Sequence, residues 1–316
     1  MDYKKIKINE STYVKLFDDD RFEVHCSATG PLGAEVYSFK RGYLEWKQRR
    51  SYSFVSKRYK VTYEWFMQQE GIDITFNVFS DTPEGKDPDS FSPTLRKYHH
   101  ILWNKRLPNG KIFSLDLDTP KLLHYKSELG EFFLSSDQIG NTYRNVGKMS
   151  HIIEQTPKEE LDYFSNIRAT IAGHAIFPAK RIDNKMTING ARGVSHKIQD
   201  RFDLTLECIR RFYKQEDSPL REVFERYADF FYLFKDFRGY VDFFLYQDLV
   251  EIDYSGIRFW HPFDDFKTSP LPTNTEEYIS YKDKVIVFLN GRNKRIADKT
   301  TNSWVIHTNI HFVTVE

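Results

Sequence analysis

Apolar and polar residues alternate along the first eighty positions. The runs TYVKLF, RFEVHCSA, EVYSF, SYSFV, YKVTYEWF and ITFNVF keep the period of two expected of half-buried strands. DDDR, TGPLG, KRG and QEG between them supply turn residues. This predicts an antiparallel sheet or small barrel over residues 1–80. The alternation stops at DTPEGKDPDSFS, residues 81–92, which reads as a linker and domain boundary.

Beyond that point the spacing becomes helical. Ser92 as N-cap and Pro93 at the first position open a helix over SPTLRKYHHILWNKR, with Leu95, Tyr98, Ile101 and Leu102 on one face. Thr156, Pro157 and Glu159 form a capping-box start for the next. Ile198, Phe202, Thr205, Leu206, Ile209 and Phe212 line one side of a third. Ser218-Pro219 begins a fourth, DFRGYVDFFLYQDL a fifth, and Asn274 with Glu277 opens a long one to about Asp298. KLLHYKSELGEFFLSSD suits two short strands, and WVIHTNIHFVTVE alternates as a C-terminal strand. Asn189-Gly190 predicts a β-hairpin, since a type I′ turn needs positive φ at both central positions. The expected fold class is α+β: a β-rich N-terminal region (1–80), a linker, then a mainly helical α+β domain (93–316) carrying the hairpin and the C-terminal strand.

Composition narrows the class. Lys and Arg total 46 against 45 Asp and Glu, so any basic site must be local rather than global. Aromatics reach 16%, which favours a well-formed core. The two cysteines, Cys26 and Cys208, lie far apart, with no CxxC or Cys/His cluster. That predicts neither a disulfide scaffold nor a metal site and fits a reducing cytoplasm. MDYKKIKINES lacks the apolar stretch of a signal peptide. Asp229, Lys235, Asp236, Arg238 and Asp242 interrupt the most apolar region, so no membrane span is expected.

Two stretches concentrate cations. In 40–60, Arg41, Lys47, Arg49, Arg50 and Arg58 are interleaved with aromatics including Tyr43 and Trp46. On a sheet this is a platform for nucleic acid, with phosphates on the cations and bases on the rings. The competing reading is an edge strand guarded by charge. In 180–197, Lys180, Arg181, Lys185, Arg192 and Lys197 oppose only Asp183. Asn189, Gly190 and Gly193 let the backbone approach an anion, as a phosphate site requires. Its competitor is a solvated surface hairpin.

Acid–base chemistry has three candidates. His124 and Glu128 are four apart, which is metal-pair spacing on a helix but roughly 13 Å on a strand. HY followed by FFLSSD, with Asp137, loosely resembles the nucleotide-binding strands of ADP-ribosyltransferases. Asp203 and Glu207 form either a working carboxylate pair or a salt-bridged helix face. Arg238, set among aromatics, is either a buried structural cation or a fork for a bound anion.

From Asp87 to Lys299 the runs SPTLRKYHHILWNK, SELGEFFLSSD, KMTINGARG, DRFDLTLECIRRFY and FRGYVDFFLYQDLV resemble an uncharacterised bacterial protein family, a domain of unknown function. The resemblance implies a bacterial or phage-type cytosolic protein whose central region is one unit. It carries no activity, and no cofactor is identified. Three kinds of function are compatible with these features. The first is binding of a phosphate-bearing partner, nucleic acid or nucleotide, through the basic stretches. The second is an enzyme acting on such a partner, nuclease-like or ADP-ribosyltransferase-like. The third is a scaffold that oligomerises through the aromatic helices.

Overall fold

The computed structural model describes residues 3–7, 12–17, 22–26, 72–116 and 123–307, with side chains over 72–115 and 123–300. Backbone contacts divide the chain into two compact units, Met1–Gly71 with His307–Glu316, and Ile72–Ile306. In the first unit β1 (Tyr3–Lys7), β2 (Thr12–Phe17) and β3 (Phe22–Cys26) form an antiparallel meander. Val14 stands opposite both Ile6 and Val24. The antiparallel start is thus as its alternation predicts. The remaining strand runs up to YKVTYEWF lie outside the described residues, and with them Arg41, Tyr43, Trp46, Lys47, Arg49, Arg50 and Arg58.

Among the described residues, the second unit contains ten α-helices and two small antiparallel sheets. ITFNVF is not a strand. Asp73 Oδ1 accepts from Thr75 N at 2.9 Å and Thr75 Oγ1 at 2.7 Å, and Asn77 Oδ1 caps a 3-10 turn over Val78–Asp81. Short polar side chains here give the backbone an alternative to ladder pairing. Residues 81–92, read from sequence as a linker, include α1 (Pro88–Phe91) and are tied to the helix after them. Asp81 accepts from Ser92 Oγ (2.5 Å) and Thr94 N (3.0 Å), while Ser92 Oγ caps α2 (Pro93–Trp103) through Leu95 N.

β4 (Lys105–Arg106) pairs with β5 (Ile112–Phe113). A four-stranded antiparallel sheet comes next, in the order β6 (Leu115–Asp116), β7 (Leu123–Ser127), β8 (Gly130–Gln138), β9 (His174–Pro178). Its β7–β8 pair is the one expected from KLLHYKSELGEFFLSSD. Between β8 and β9 lie α3 (Ser150–Ile153) and α4 (Lys158–Arg168). Thr156 is buried and caps nothing, so the capping box does not form and α4 begins at Lys158.

The hairpin expected at Asn189-Gly190 is replaced by a helix, α5 (Ile188–Val194). Thr187 Oγ1 caps it through Gly190 N, and Ile188 and Arg192, four apart, are both buried. That helical spacing of buried contacts outweighs the turn preference of the dipeptide. Gln199 and Asp200 then adopt left-handed φ of 46° and 59°, so α6 runs over Phe202–Tyr213 rather than from Ile198. The next expected helix is broken at Tyr227 into α7 (Arg221–Arg226) and α8 (Ala228–Tyr232). Asp236 caps α9 (Phe237–Phe244) through Gly239 N at 2.8 Å. A Cβ on Gly239 would lie 2.1 Å from the Phe234 carbonyl oxygen, so α9 can approach that backbone only with glycine there. The last helix, α10 (Thr275–His307), starts as expected with Asn274 Oδ1 accepting from Glu277 N (2.9 Å). It continues through Trp304–His307, where the terminal strand was expected to begin; residues 308–316 lie outside the described residues.

The core is aromatic. Phe230, Phe231, Phe234, Tyr240, Phe244 and Tyr246 are fully buried, and Phe234 stands 5.0–5.4 Å from Tyr240, Phe243 and Phe244. The scaffold expectation relied on these rings being available at a surface. Within the block, only Tyr232 is a large exposed ring, at 64%. Arg292 of α10 reaches into this core, fully buried. It donates to the carbonyls of Ala172 (2.6 Å), His174 (2.9 Å) and Phe244 (3.0 and 3.2 Å) and lies 4.6 Å from the Tyr246 ring.

Three substitutions test this arrangement by urea denaturation. Phe244→Ala should cost about 3–5 kcal/mol through the cavity it leaves. Arg292→Met should cost at least about 3 kcal/mol, because three carbonyls lose their donor at about 1–3 kcal/mol each. Arg292→Lys should recover little, since an ammonium cannot reach three separated acceptors in the plane of a fork. Equal stability of Arg292→Lys and wild type would contradict the role assigned to the guanidinium.

Candidate functional site

β8 is built from GEFFLSSDQ, and its pleat sorts these residues onto two faces. Leu134 is buried and Phe132 packs 5.8 Å from Phe230, so the even positions face the aromatic core. The odd positions, Glu131, Phe133, Ser135 and Asp137, line the other face. A row of partners crosses them. His124, opposite Phe133 on β7, stacks on it with centroids 4.5 Å apart and planes within 1°, and its Nε2 lies 2.7 Å from Glu131 Oε1. Lys180 Nζ lies 5.7 Å from the Phe133 centroid on the β9 side. Further along, Asn189 Nδ2 donates to Ser135 Oγ at 3.4 Å. At the end Arg192 binds Asp137.

Arg192 is wholly committed. It is fully buried, its Nη1 pairs with Asp137, its Nε donates to Thr205 Oγ1 (2.9 Å), and its Nη2 donates to the Asp200 carbonyl (3.4 Å). Phe177 and Phe202 flank its guanidinium at 5.5 and 5.8 Å. The expectation that Arg192 grips a phosphate is therefore corrected: it is the internal anchor of α5, and its charge is spent on Asp137. Burial raises the Asp137 pKa while Arg192 opposes that rise.

The other cations of 180–197 divide. Lys180, Arg181 and Lys185 are exposed, Lys197 and Asn189 are half-buried. Lys185 faces Glu222 at 3.6 Å between two exposed side chains. Neither Lys180 nor Arg181 has an ion pair among the described residues. Asp183 and Asn184, both left-handed at φ 52° and 56°, turn the loop between them, and Ile182 and Met186 stand exposed beside the cations.

The proposed acid–base residues do not converge. His124 and Glu128 belong to one hairpin but have separate partners, since Glu128 is exposed and pairs with Lys111. Asp203 is buried against Arg201 (Nε 3.1 Å) and accepts from Trp260 N at 3.0 Å. Arg201 also donates to the carbonyls of Pro270 (2.9 Å) and His261 (3.2 Å). Glu207 accepts from Arg210 at 2.7 and 2.8 Å and from Arg211 at 2.7 Å. The salt-bridged reading of this helix is thus the one the geometry favours. Arg238 is exposed rather than buried, 3.7 Å from Asp242 and 4.8 Å from the Tyr254 ring, because it falls on the outer side of α9.

One unforeseen carboxyl stands on the inner side of β8. Asp89 of α1 accepts from Ser136 N (2.8 Å) and Ser136 Oγ (2.6 Å) and is buried. Burial pushes its pKa up to about 7, against the two hydrogen bonds that lower it. Nothing in DPDSF signals this, because its partner is forty-seven residues away in sequence.

Among the described residues no helix is long and apolar enough to cross a membrane, and no group of three or more His, Cys, Asp or Glu stands together to hold a metal ion. The model of a family of unknown function (DUF6994) matches residues 72–296. No curated protein and no solved structure matches the chain.

Asp89 makes a pH prediction. Its folded pKa of about 7 lies above the ordinary 3.8, so between these values the folded protein holds a proton that the unfolded chain has released. Stability from this group is present below about pH 4 and is lost as pH rises through 7. Urea midpoints of wild type and Asp89→Asn between pH 4 and 8 should therefore shift in favour of the variant as pH rises. Parallel curves would refute the assignment.

Proposed function

This chain belongs to the DUF6994 family, and we propose that it binds a phosphate-bearing partner, nucleic acid or nucleotide, at the loop formed by Lys180, Arg181 and Lys185 beside the His124–Phe133 pair. The observation that carries the reading is the exposure of Lys180, whose Nζ lies 5.7 Å from the Phe133 ring of a stacked His–Phe pair, with exposed Arg181 following it in the chain. Cations beside planar rings are what a phosphodiester with unstacked bases uses: charge for the backbone, ring surface for the bases. Exposed Ile182 and Met186 add apolar contact on the same loop. Arg192 contributes by holding α5 rather than by touching the partner. A bacterial cytoplasm is the proposed setting. It fits the family resemblance and Cys208, a buried free thiol whose pKa burial pushes up to about 12.

The test is binding of a fluorescent single-stranded oligonucleotide, and separately of ATP, to the full chain across a salt series. Electrostatic binding predicts that affinity falls linearly on logarithmic axes. The triple variant Lys180→Glu/Arg181→Glu/Lys185→Glu should lower that slope by roughly 2, at about 0.7 per phosphate contact on a single strand. Absence of wild-type binding would sink the proposal. Binding that survives the triple variant unchanged would remove this loop from it.

A further inference from the structure

Apart from that surface, four of the buried side-chain atoms that have no hydrogen-bond partner among the described residues belong to one neighbourhood: His99 Nε2, His174 Nε2, Gln138 Nε2 and Asn293 Oδ1. Their neighbours fix what each atom can do. Trp103 Nε1 can only donate, and it reaches His99 Nδ1 at 3.0 Å. The neutral His99 ring therefore carries its proton on Nε2, which is a donor. The Thr170 carbonyl can only accept, and it lies 2.9 Å from His174 Nδ1. His174 Nε2 is left with its lone pair, an acceptor. Arg168 donates to Gln138 Oε1, which turns the Gln138 amide nitrogen away as a donor. The Thr170 hydroxyl gives its proton to the Ile167 carbonyl (2.7 Å), so Asn293 Nδ2 donates to it at 3.0 Å and Asn293 Oδ1 remains an acceptor.

These groups are neighbours. The His99 and His174 rings meet edge to face with centroids 6.5 Å apart. Gln138 is the ladder partner of His174 across β8 and β9. Asn293 is joined to Thr170, whose carbonyl holds His174. Both rings are neutral at physiological pH. Burial brings His174 down to about 4, and burial with the nearby His174, Arg292 and Arg96 brings His99 well below the ordinary value.

We propose that His99, Gln138, His174 and Asn293 form the binding site of one internal water molecule. The water accepts from His99 Nε2–H and the Gln138 amide and donates to His174 Nε2 and Asn293 Oδ1. Two donors and two acceptors are the complement of a molecule with two lone pairs and two protons. A metal cation fits poorly, because only one imidazole presents a lone pair. Ammonium fits no better, because it cannot accept from His99. The water joins α2, the β8–β9 pair and α10, which otherwise meet there through unpaired polar edges.

A high-resolution crystal structure and NMR decide the matter. A single water peak within about 2.7–3.2 Å of His99 Nε2 and His174 Nε2 is expected. Nitrogen-detected NMR should show His99 as the Nε2–H tautomer and His174 as the Nδ1–H tautomer at pH 7. Water relaxation dispersion on the full chain should lose one slowly exchanging molecule in His99→Phe, or in Gln138→Leu if the first variant does not fold. Direct hydrogen bonding between the rings, a metal at His174 Nε2, the opposite tautomers, or an unchanged count of slow waters in a folded variant would each overturn the site.

Discussion

Much of the second unit depends on one buried guanidinium. Arg292 enters from α10 and distributes its donors over the carbonyls of Ala172, His174 and Phe244. Those acceptors belong to the turn before β9, to β9 itself and to the end of α9. Among the described residues no carboxylate accompanies it; burial lowers its pKa, and the Tyr246 ring lies 4.6 Å away. A buried cation is tolerable only when its donors are met. The α10–α9–β9 arrangement is therefore fixed in all three directions by the geometry of a planar fork. Leu245, left-handed at φ 61°, ends α9 just where the Phe244 carbonyl turns toward it.

The same solution recurs twice. Arg201 joins Asp203 to the Pro270 and His261 carbonyls, binding the start of α6 to the loop before α10. Arg192 joins α5 to Asp137 on β8 and to Thr205 on α6. Such pairs are weak contributors to net stability, yet removal of one partner strands a buried charge. They specify which elements meet. An aromatic core alone would not, because rings pack in many registers.

The functional proposal rests on the charges this internal use leaves over. Of the cations in 180–197, the most deeply engaged, Arg192, serves the fold, while Lys180, Arg181 and Lys185 remain on a left-handed turn in solvent. Lys180 among them lies 5.7 Å from the only odd-numbered aromatic of β8, Phe133, already stacked on His124. The carboxylates that suggested catalysis instead neutralise arginines, with Glu207 held by two of them.

Local signals along the chain specify the kinds of element and much of their placement: an antiparallel start at β1–β3, the β7–β8 pair, α2 behind its Ser-Pro cap, and α10 behind Asn274. These are matters of period, capping and turn chemistry, within a few residues of one another. The same signals mark the stretch 180–197 as cationic. Long-range contacts settled the rest. Asn189-Gly190 became helix because Ile188 and Arg192 found buried partners one turn apart. Arg238 went outward and Arg192 inward, though both are arginines among aromatics. Arg292, His174 and Asp89 carry no local signal of their roles, because their partners are backbone groups or side chains that only folding brings against them. Whether a polar residue is solvated, anchored or available depends on what folding brings against it, and no spacing rule contains that information.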